Sequence, residues 1–209
     1  FEVDTIAGNP NKYGDYEDIE LAKTGAIVMM DANTGDVLAM ASYPSYDPNW
    51  FISGLSDEQA EYLFRSEEAA ELTPTLNKAI SLKRAPGSIF KMVTGLAGVM
   101  EGVITLDETI DCVEKYVLTD ENGNPIERDA PSCHIRNPVN HANQNLRLAL
   151  TNSCNTYFYE VSNRLGIDEL SKWGEALGLS ESTNIQLTGE VTGQVGGQDV
   201  LFDNDLIDF

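Results

Sequence analysis

From Ile89 to Met100 the chain reads as one helix, with Ile89, Phe90, Met92, Val93, Leu96, Ala97, Val99 and Met100 covering most of its circumference. A helix apolar all round is expected to be buried, so the rest of the fold has to be built around it. Pro86 and Gly87 punctuate the chain just before it starts. One stripe breaks the pattern. Ser88, Lys91, Gly95 and Gly98 follow one another at intervals of three or four and so share a face. A lysine set there has no easy path to water for its ammonium. The two glycines leave room for another element to pack closely and seal the stripe.

That face has the makings of an activated nucleophile. A serine hydroxyl attacks poorly at neutral pH unless a base lies within hydrogen-bond reach, and Lys91 is one turn along from Ser88. Burial disfavours the ammonium, and the positive end of the helix dipole acts in the same direction while favouring an oxyanion beside Ser88. A bare Ser-x-x-Lys arises by chance about once in a chain of this size, so the spacing alone decides little. Its position behind Pro-Gly at a helix start leaves two readings open, a catalytic pair and a capped core helix.

A second constellation bears on the choice. Leu146 to Thr151 and Thr156 to Leu165 are two helical patterns separated by the polar break Asn152-Ser153-Cys154-Asn155. Tyr157, Phe158, Val161 and Leu165 share one face of the second, which is expected to stop at Gly166. Ser153 and Asn155 then sit on a turn between helices. There a hydroxyl can relay a proton and an amide can bind a peptide group, although turns favour Ser and Asn for their own sake.

Together these segments resemble the transpeptidase domain of the penicillin-binding proteins, serine D,D-transpeptidases that cross-link peptidoglycan and are acylated by β-lactams. The similarity continues along the chain: a hairpin from Gly25 to Ser42, then Tyr43-Pro44-Ser45-Tyr46-Asp47-Pro48-Asn49, Asn77-Lys78-Ala79, Pro86-Gly87-Ser88-Ile89-Phe90-Lys91, Ala149-Leu150 ahead of Ser153-Cys154-Asn155, and Leu187-Thr188-Gly189-Glu190. Phe51 to Ser56 inclines the resemblance towards the class B, elongation-type members. It implies an α+β fold of the β-lactamase/transpeptidase kind, an antiparallel sheet with a helical subdomain, incomplete in this chain. The segments expected are a polar loop or insertion at 1–22, the N-terminal portion of the domain at 23–192 and a Gly- and Asp-rich tail at 193–209.

The family's third motif, Lys-Thr-Gly or Lys-Ser-Gly, does not follow Asn155. Lys23-Thr24-Gly25 precedes the first strand and reads as a chance tripeptide. Ser182-Thr183-Asn184 repeats the Ser-x-Asn pattern without paired helices around it, so Ser153 is the better candidate. The chain is therefore expected to be inactive alone.

What the resemblance implies is specific. Ser88 would attack the carbonyl between two terminal D-alanines of a stem peptide, Lys91 would take its proton, and Ser153 would pass a proton to the leaving amine. Asn155 would bind substrate, and the Ser88 backbone N–H would be one oxyanion donor. No cofactor is implied. Partners would be peptidoglycan stem peptides, β-lactam antibiotics and a glycosyltransferase of the cell-wall machinery, at the outer face of the bacterial cytoplasmic membrane, reached through an anchor upstream of Phe1. Two alternatives share the serine and lysine: a serine β-lactamase or D,D-carboxypeptidase that delivers the acyl group to water, and a non-catalytic β-lactam sensor or scaffold.

Charge narrows the partners independently. With 13 Lys plus Arg against 34 Asp plus Glu the net charge is −21, which repels a nucleic-acid backbone and an anionic lipid surface alike. Three cysteines are too few for a disulfide scaffold. Cys112 and Cys133 flank a stretch that reads as a hairpin turning at Asn122-Gly123-Asn124-Pro125, so they are expected either to pair or to stay as two partly buried thiols. Cys154 reads as a small buried hydrophobe. His134 and His141 have no second ligand pair at zinc-like spacing, so structural roles and no metal are expected.

Overall fold

The computed structural model describes residues 22–118, 125, 131–134 and 141–197. The chain divides into two units, Phe1–Leu82 and Lys83–Phe209.

In the first unit, strands β1 (Gly25–Met30) and β2 (Val37–Tyr43) form an antiparallel hairpin in register from Gly25 opposite Tyr43, with an irregularity between Met29 and Met30. The hairpin turns at Asn33-Thr34-Gly35, where Gly35 N–H donates to Asp31 O at 2.9 Å. Asp31 Oδ1 accepts from the backbone N–H groups of Asn33 and Thr34, which also holds its carboxyl below the usual carboxylate range. Apolar residues stand exposed on both faces of the pair, Ile27 and Val28 on one strand and Val37 and Leu38 on the other. Short helices follow: α1 (Asn49–Ser53), α2 (Asp57–Ala60) running into a π-turn, α3 (Glu67–Leu72) and α4 (Lys78–Ser81). Ser56 opens α2 with a capping box to Gln59, the local signature of a helix start. Asn77 caps α4 and accepts a hydrogen bond from Ser42 on β2 at 3.2 Å, tying the helix to the hairpin.

The second unit holds the core. A 3-10 turn (Gly87–Phe90) leads into α5 (Lys91–Met100), and α6 (Leu146–Thr151), α7 (Asn155–Leu165) and α8 (Ile167–Ala176) complete the helices described. Ala97, Ala149, Cys154, Tyr157, Phe158, Val161 and Leu165 are buried together. At about 1.5–3 kcal/mol for each large apolar side chain, this cluster supplies much of what holds the unit together. The expected face of α7 is the buried one, and the helix ends at Gly166, whose φ of 76° a residue with a Cβ adopts rarely.

One expectation needs correcting. Helix α5 is buried on one side only: Val93, Thr94, Gly95, Ala97 and Gly98 face the core, whereas Met92, Leu96 and Met100 are exposed, as is Ile89 in the turn before it, by 67%. The all-round apolar pattern therefore overstates its burial in this chain. The glycines behave as their spacing suggests. A Cβ on Gly95 would lie 2.8 Å from a Leu146 methyl, and one on Gly98 would lie 2.7 Å from a Val161 methyl, so α6 and α7 approach α5 more closely than alanine would allow.

Candidate active site

Ser88, Lys91, Ser153 and Asn155 all belong to the second unit, and the fold brings all four together. Gly87, at φ 56°, lets the chain turn so that Ser88 sits exposed in the 3-10 turn, with Lys91 beginning the α-helix proper. Ser153 is placed by the end of α6. Its N–H donates to Leu150 O and that of Cys154 to Ala149 O, the paired bonds of a Schellman cap with Ser153 at the left-handed position, φ 50°. Glycine is the usual residue there, and a serine costs about 1 kcal/mol or more of backbone strain. What the strain secures is a hydroxyl aimed at Lys91. Cys154 then caps α7 with its side chain buried, and Asn155 is the first helical residue.

Lys91 Nζ donates to Ser153 O at 2.8 Å, Ser153 Oγ at 3.0 Å and Asn155 Oδ1 at 2.6 Å. Ser153 Oγ in turn donates to Ser88 Oγ at 3.0 Å. Helical spacing suggests a direct contact from Ser88 to Lys91; the hydrogen-bonded route instead runs through Ser153. Once Lys91 is neutral the same three groups can pass a proton the other way, from Ser88 to Ser153 to Lys91. Burial pushes the Lys91 amine below its ordinary value, opposed by the neighbouring sulfurs of Cys133 and Cys154. The ammonium also stands 5.7 Å from the centre of the Phe158 ring. Asn155 is oriented from its other side, its Nδ2 donating to Ser132 O at 3.2 Å.

Of the other motifs, Ser182-Thr183-Asn184 is turned to different use. Glu190 accepts from Ser182 Oγ, Thr183 N and Thr183 Oγ1 at 2.6 to 2.7 Å, which lowers its carboxyl pKa. This is the Glu of Leu187-Thr188-Gly189-Glu190. The residues of Lys23-Thr24-Gly25 lie in the first unit, at the entrance to β1.

Behind the turn is a group that the sequence reading did not assemble. Cys112, Cys133, His141 and Cys154 are all buried, and one ligand atom from each lies within 4.8 Å of the others. The antiparallel bridge between Lys115 and Ser132 brings Cys112 and Cys133 alongside each other, as the hairpin reading expected; residues 119–124 and 126–130, with most of its turn, lie outside the described residues. The three cysteines are in the thiol form. Burial raises the Cys112 thiol, and pushes that of Cys154 up to about 12. Three sulfurs and an imidazole are the donor set of a tetrahedral Cys3His zinc site, whose donors would stand about 3.8 Å apart for bonds of about 2.3 Å. The spacing along the chain gives no sign of this grouping, because the four residues come from separate segments with no Cys-x-x-Cys among them.

Residues 25–209 match the family described as penicillin binding protein transpeptidase domain, and the chain belongs to it. Among similar proteins, the peptidoglycan D,D-transpeptidase MrdA of Haemophilus influenzae is 33% identical over 171 residues, 82% of this chain and 24% of that protein. Pseudomonas aeruginosa PBP2, solved in complex with WCK 5153, superposes with a TM-score of 0.74 at 28% identity, covering 90% of this chain and 40% of that one. Penicillin-binding protein A of Mycobacterium tuberculosis, solved as an imipenem acyl-enzyme complex, gives 0.61 at 30% identity over 82% of this chain and 38% of that one. The chain thus spans well under half the length of these relatives.

Proposed function

We propose that the protein of which this chain is part is a peptidoglycan D,D-transpeptidase, working through an acyl-enzyme on Ser88. The observation that carries this reading is the relay from Lys91 through Ser153 to Ser88, with Asn155 fixed beside it. Ser88 Oγ attacks the carbonyl carbon of the penultimate D-alanine, and its proton passes through Ser153 to a neutral Lys91. The proton then returns through Ser153 to the departing D-alanine amine, leaving an ester on Ser88. An amine from a neighbouring stem peptide attacks that ester, releases the cross-linked peptide and restores the serine. A β-lactam enters the same first step, with its ring amide in place of the peptide bond, and the resulting ester stays on Ser88. Asn155 keeps an amide N–H and carbonyl at the mouth of the relay, suited to pairing with a substrate peptide group.

A site acting on cell-wall peptide would work outside the cytoplasmic membrane. Among the described residues no helix is long and apolar enough to cross a bilayer. A glycosyltransferase partner is carried by the family resemblance alone.

The test uses the full-length protein with a pentapeptide donor and an amine acceptor. Release of one D-alanine per cross-linked product is expected. Release matched by hydrolysed tetrapeptide would favour the carboxypeptidase or β-lactamase alternative, and no release at all would favour a sensor or scaffold.

A further inference from the structure

Helix α7 begins with Asn155, and further along it carries a polar stripe that the relay does not use. Thr156, Glu160 and Arg164 follow one another at intervals of four and so share a face. Each of them reaches the segment that runs from Val103 to Tyr116. Thr156 Oγ1 donates to Val113 O at 2.9 Å, Tyr116 Oη donates to Glu160 Oε2 at 2.6 Å, and Arg164 donates to Glu108 Oε1 at 2.6 Å and to Val103 O at 3.2 Å. Arg164 Nε also donates to Glu160 Oε1 at 2.7 Å, so both oxygens of that carboxylate are held. The Tyr116 ring lies 5.9 Å from that of Tyr159. Against its own burial, the bonds from Tyr116 and Arg164 keep the Glu160 carboxyl below its usual range. Burial and that carboxylate push the Tyr116 phenol up, so the phenol stays the donor.

The end of this segment leads to the active site. Lys115 forms an isolated antiparallel bridge with Ser132, and the Tyr116 N–H donates to Pro131 O at 2.8 Å. The Ser132 carbonyl in turn accepts from Asn155 Nδ2 at 3.2 Å. Ser132 is exposed, and so short a pairing is a weak hold by itself. The side chain of Tyr116 ties it to α7. We propose that Tyr116 is a positioning residue for Asn155: its hydroxyl, bound to Glu160, holds residues 115–116 and the paired Ser132 against α7, so that the Ser132 carbonyl fixes which way the Asn155 carboxamide faces. This role rests on the transpeptidase reading, from which the substrate peptide group it serves is taken.

Orientation matters because a carboxamide has one accepting and one donating end. Asn155 Oδ1 accepts from Lys91, one Nδ2 hydrogen goes to Ser132, and the other is left for the carbonyl of a substrate peptide group. While Lys91 is an ammonium it can only donate, and that alone keeps Oδ1 turned towards it. Once Lys91 is neutral, as the relay requires, its nitrogen also accepts, and a carboxamide turned end for end would satisfy it equally well. At that stage the Ser132 carbonyl is what holds the productive orientation. A turned amide would set Oδ1 against the Ser132 and substrate carbonyls, acceptor against acceptor, so the loss falls on substrate binding and not on proton transfer through Ser153.

The experiment follows acylation of the full-length protein by a chromogenic cephalosporin in stopped flow, which separates the apparent binding constant from the limiting rate. Tyr116→Phe keeps the ring beside Tyr159 and removes only the hydroxyl. The binding constant should weaken about 3- to 10-fold, the worth of one hydrogen bond, with the limiting rate changed by less than about twofold. Glu160→Gln still offers the phenol an oxygen and should bind almost as wild type does, whereas Glu160→Ala should match Tyr116→Phe. In an Asn155→Ala background Tyr116→Phe should add nothing, because its effect passes through that amide. Additive effects in that cycle, or a slower limiting rate at unchanged binding, would overturn the proposal. A wild-type protein that is not acylated at all would sink the transpeptidase reading and leave the positioning role to hydrogen exchange, which needs no ligand. By NMR the Asn155 side-chain amide protons should exchange about 3- to 10-fold faster in Tyr116→Phe than in wild type. Equal exchange rates would overturn the role of Tyr116, and this comparison also decides if Asn155→Ala fails to fold.

Discussion

Ser153-Cys154-Asn155 and Ser182-Thr183-Asn184 share a residue pattern and a left-handed residue each, Ser153 at φ 50° and Asn184 at φ 57°. They differ in what happens to the middle side chain. Cys154 is wholly buried between two helices, so the residues on either side of it turn outward to the same amine, Lys91. Thr183 is exposed, and its hydroxyl and its N–H both go to Glu190. The first tripeptide is thereby anchored from behind and presented to a base; the second is a surface loop stitched to a carboxylate. A Ser-x-Asn sequence becomes a site only when the x is held and a cation is brought to the flanks.

The sharpest way to break that contrast is at the nucleophile and its relay. In the full-length protein Ser88→Ala should abolish covalent labelling by a fluorescent penicillin. Lys91→Ala should slow it by about 10² to 10⁴, the worth of a positioned general base. Ser153→Ala should fall within the same range because the proton route passes through its hydroxyl, whereas Ser182→Ala should label at the wild-type rate. Equal effects at Ser153 and Ser182, read from stopped-flow acylation, would erase the distinction.

The two turns should also answer to pH from opposite ends. Relay needs the neutral amine of Lys91, so the acylation rate should rise as pH rises through its pKa and level off above. Burial sets that midpoint below the ordinary lysine value of 10.5. Glu190 is depressed instead, so what it contributes is present above the unfolded carboxylate value of about 4.5 and lost as pH falls through the folded one. Acid should free the Thr183 N–H to exchange while the Ser153 turn keeps its protection, which hydrogen exchange by NMR would show.

A third variant probes the packing behind the first turn. Gly98→Ala places a methyl 2.7 Å from Val161 and 3.1 Å from Ile104, so α7 has to shift, at a cost of about 1–3 kcal/mol in denaturant unfolding. Gly178→Ala, with open space around its Cβ site near the second tripeptide, should cost less and only through its φ of 80°.

How much of this the sequence displays depends on how far each feature reaches along the chain. The hairpin turn at Asn33-Thr34-Gly35 and the stop of α7 at Gly166 are written in adjacent residues, and both are legible. So are Ser88 and Lys91, three apart, and Ser153 and Asn155, two apart. The order of the relay is not, because it depends on the Schellman turn bringing Ser153 Oγ between Ser88 and Lys91, 65 and 62 positions away. The thiol and imidazole group is less legible still. Cys112, Cys133, His141 and Cys154 are drawn from four segments, and periodicity says nothing about such convergence. The exposed side of α5 is hidden for another reason: an apolar pattern reports what a helix can bury, not which neighbours are there to cover it.

The most direct measurement is to react the full-length protein with a penicillin, digest it, and locate the adduct by mass spectrometry. One acyl group per chain on the peptide containing Ser88, formed far more slowly in Lys91→Ala, is the expected result. An adduct on any other residue, or one that forms at the wild-type rate without Lys91, would contradict the relay.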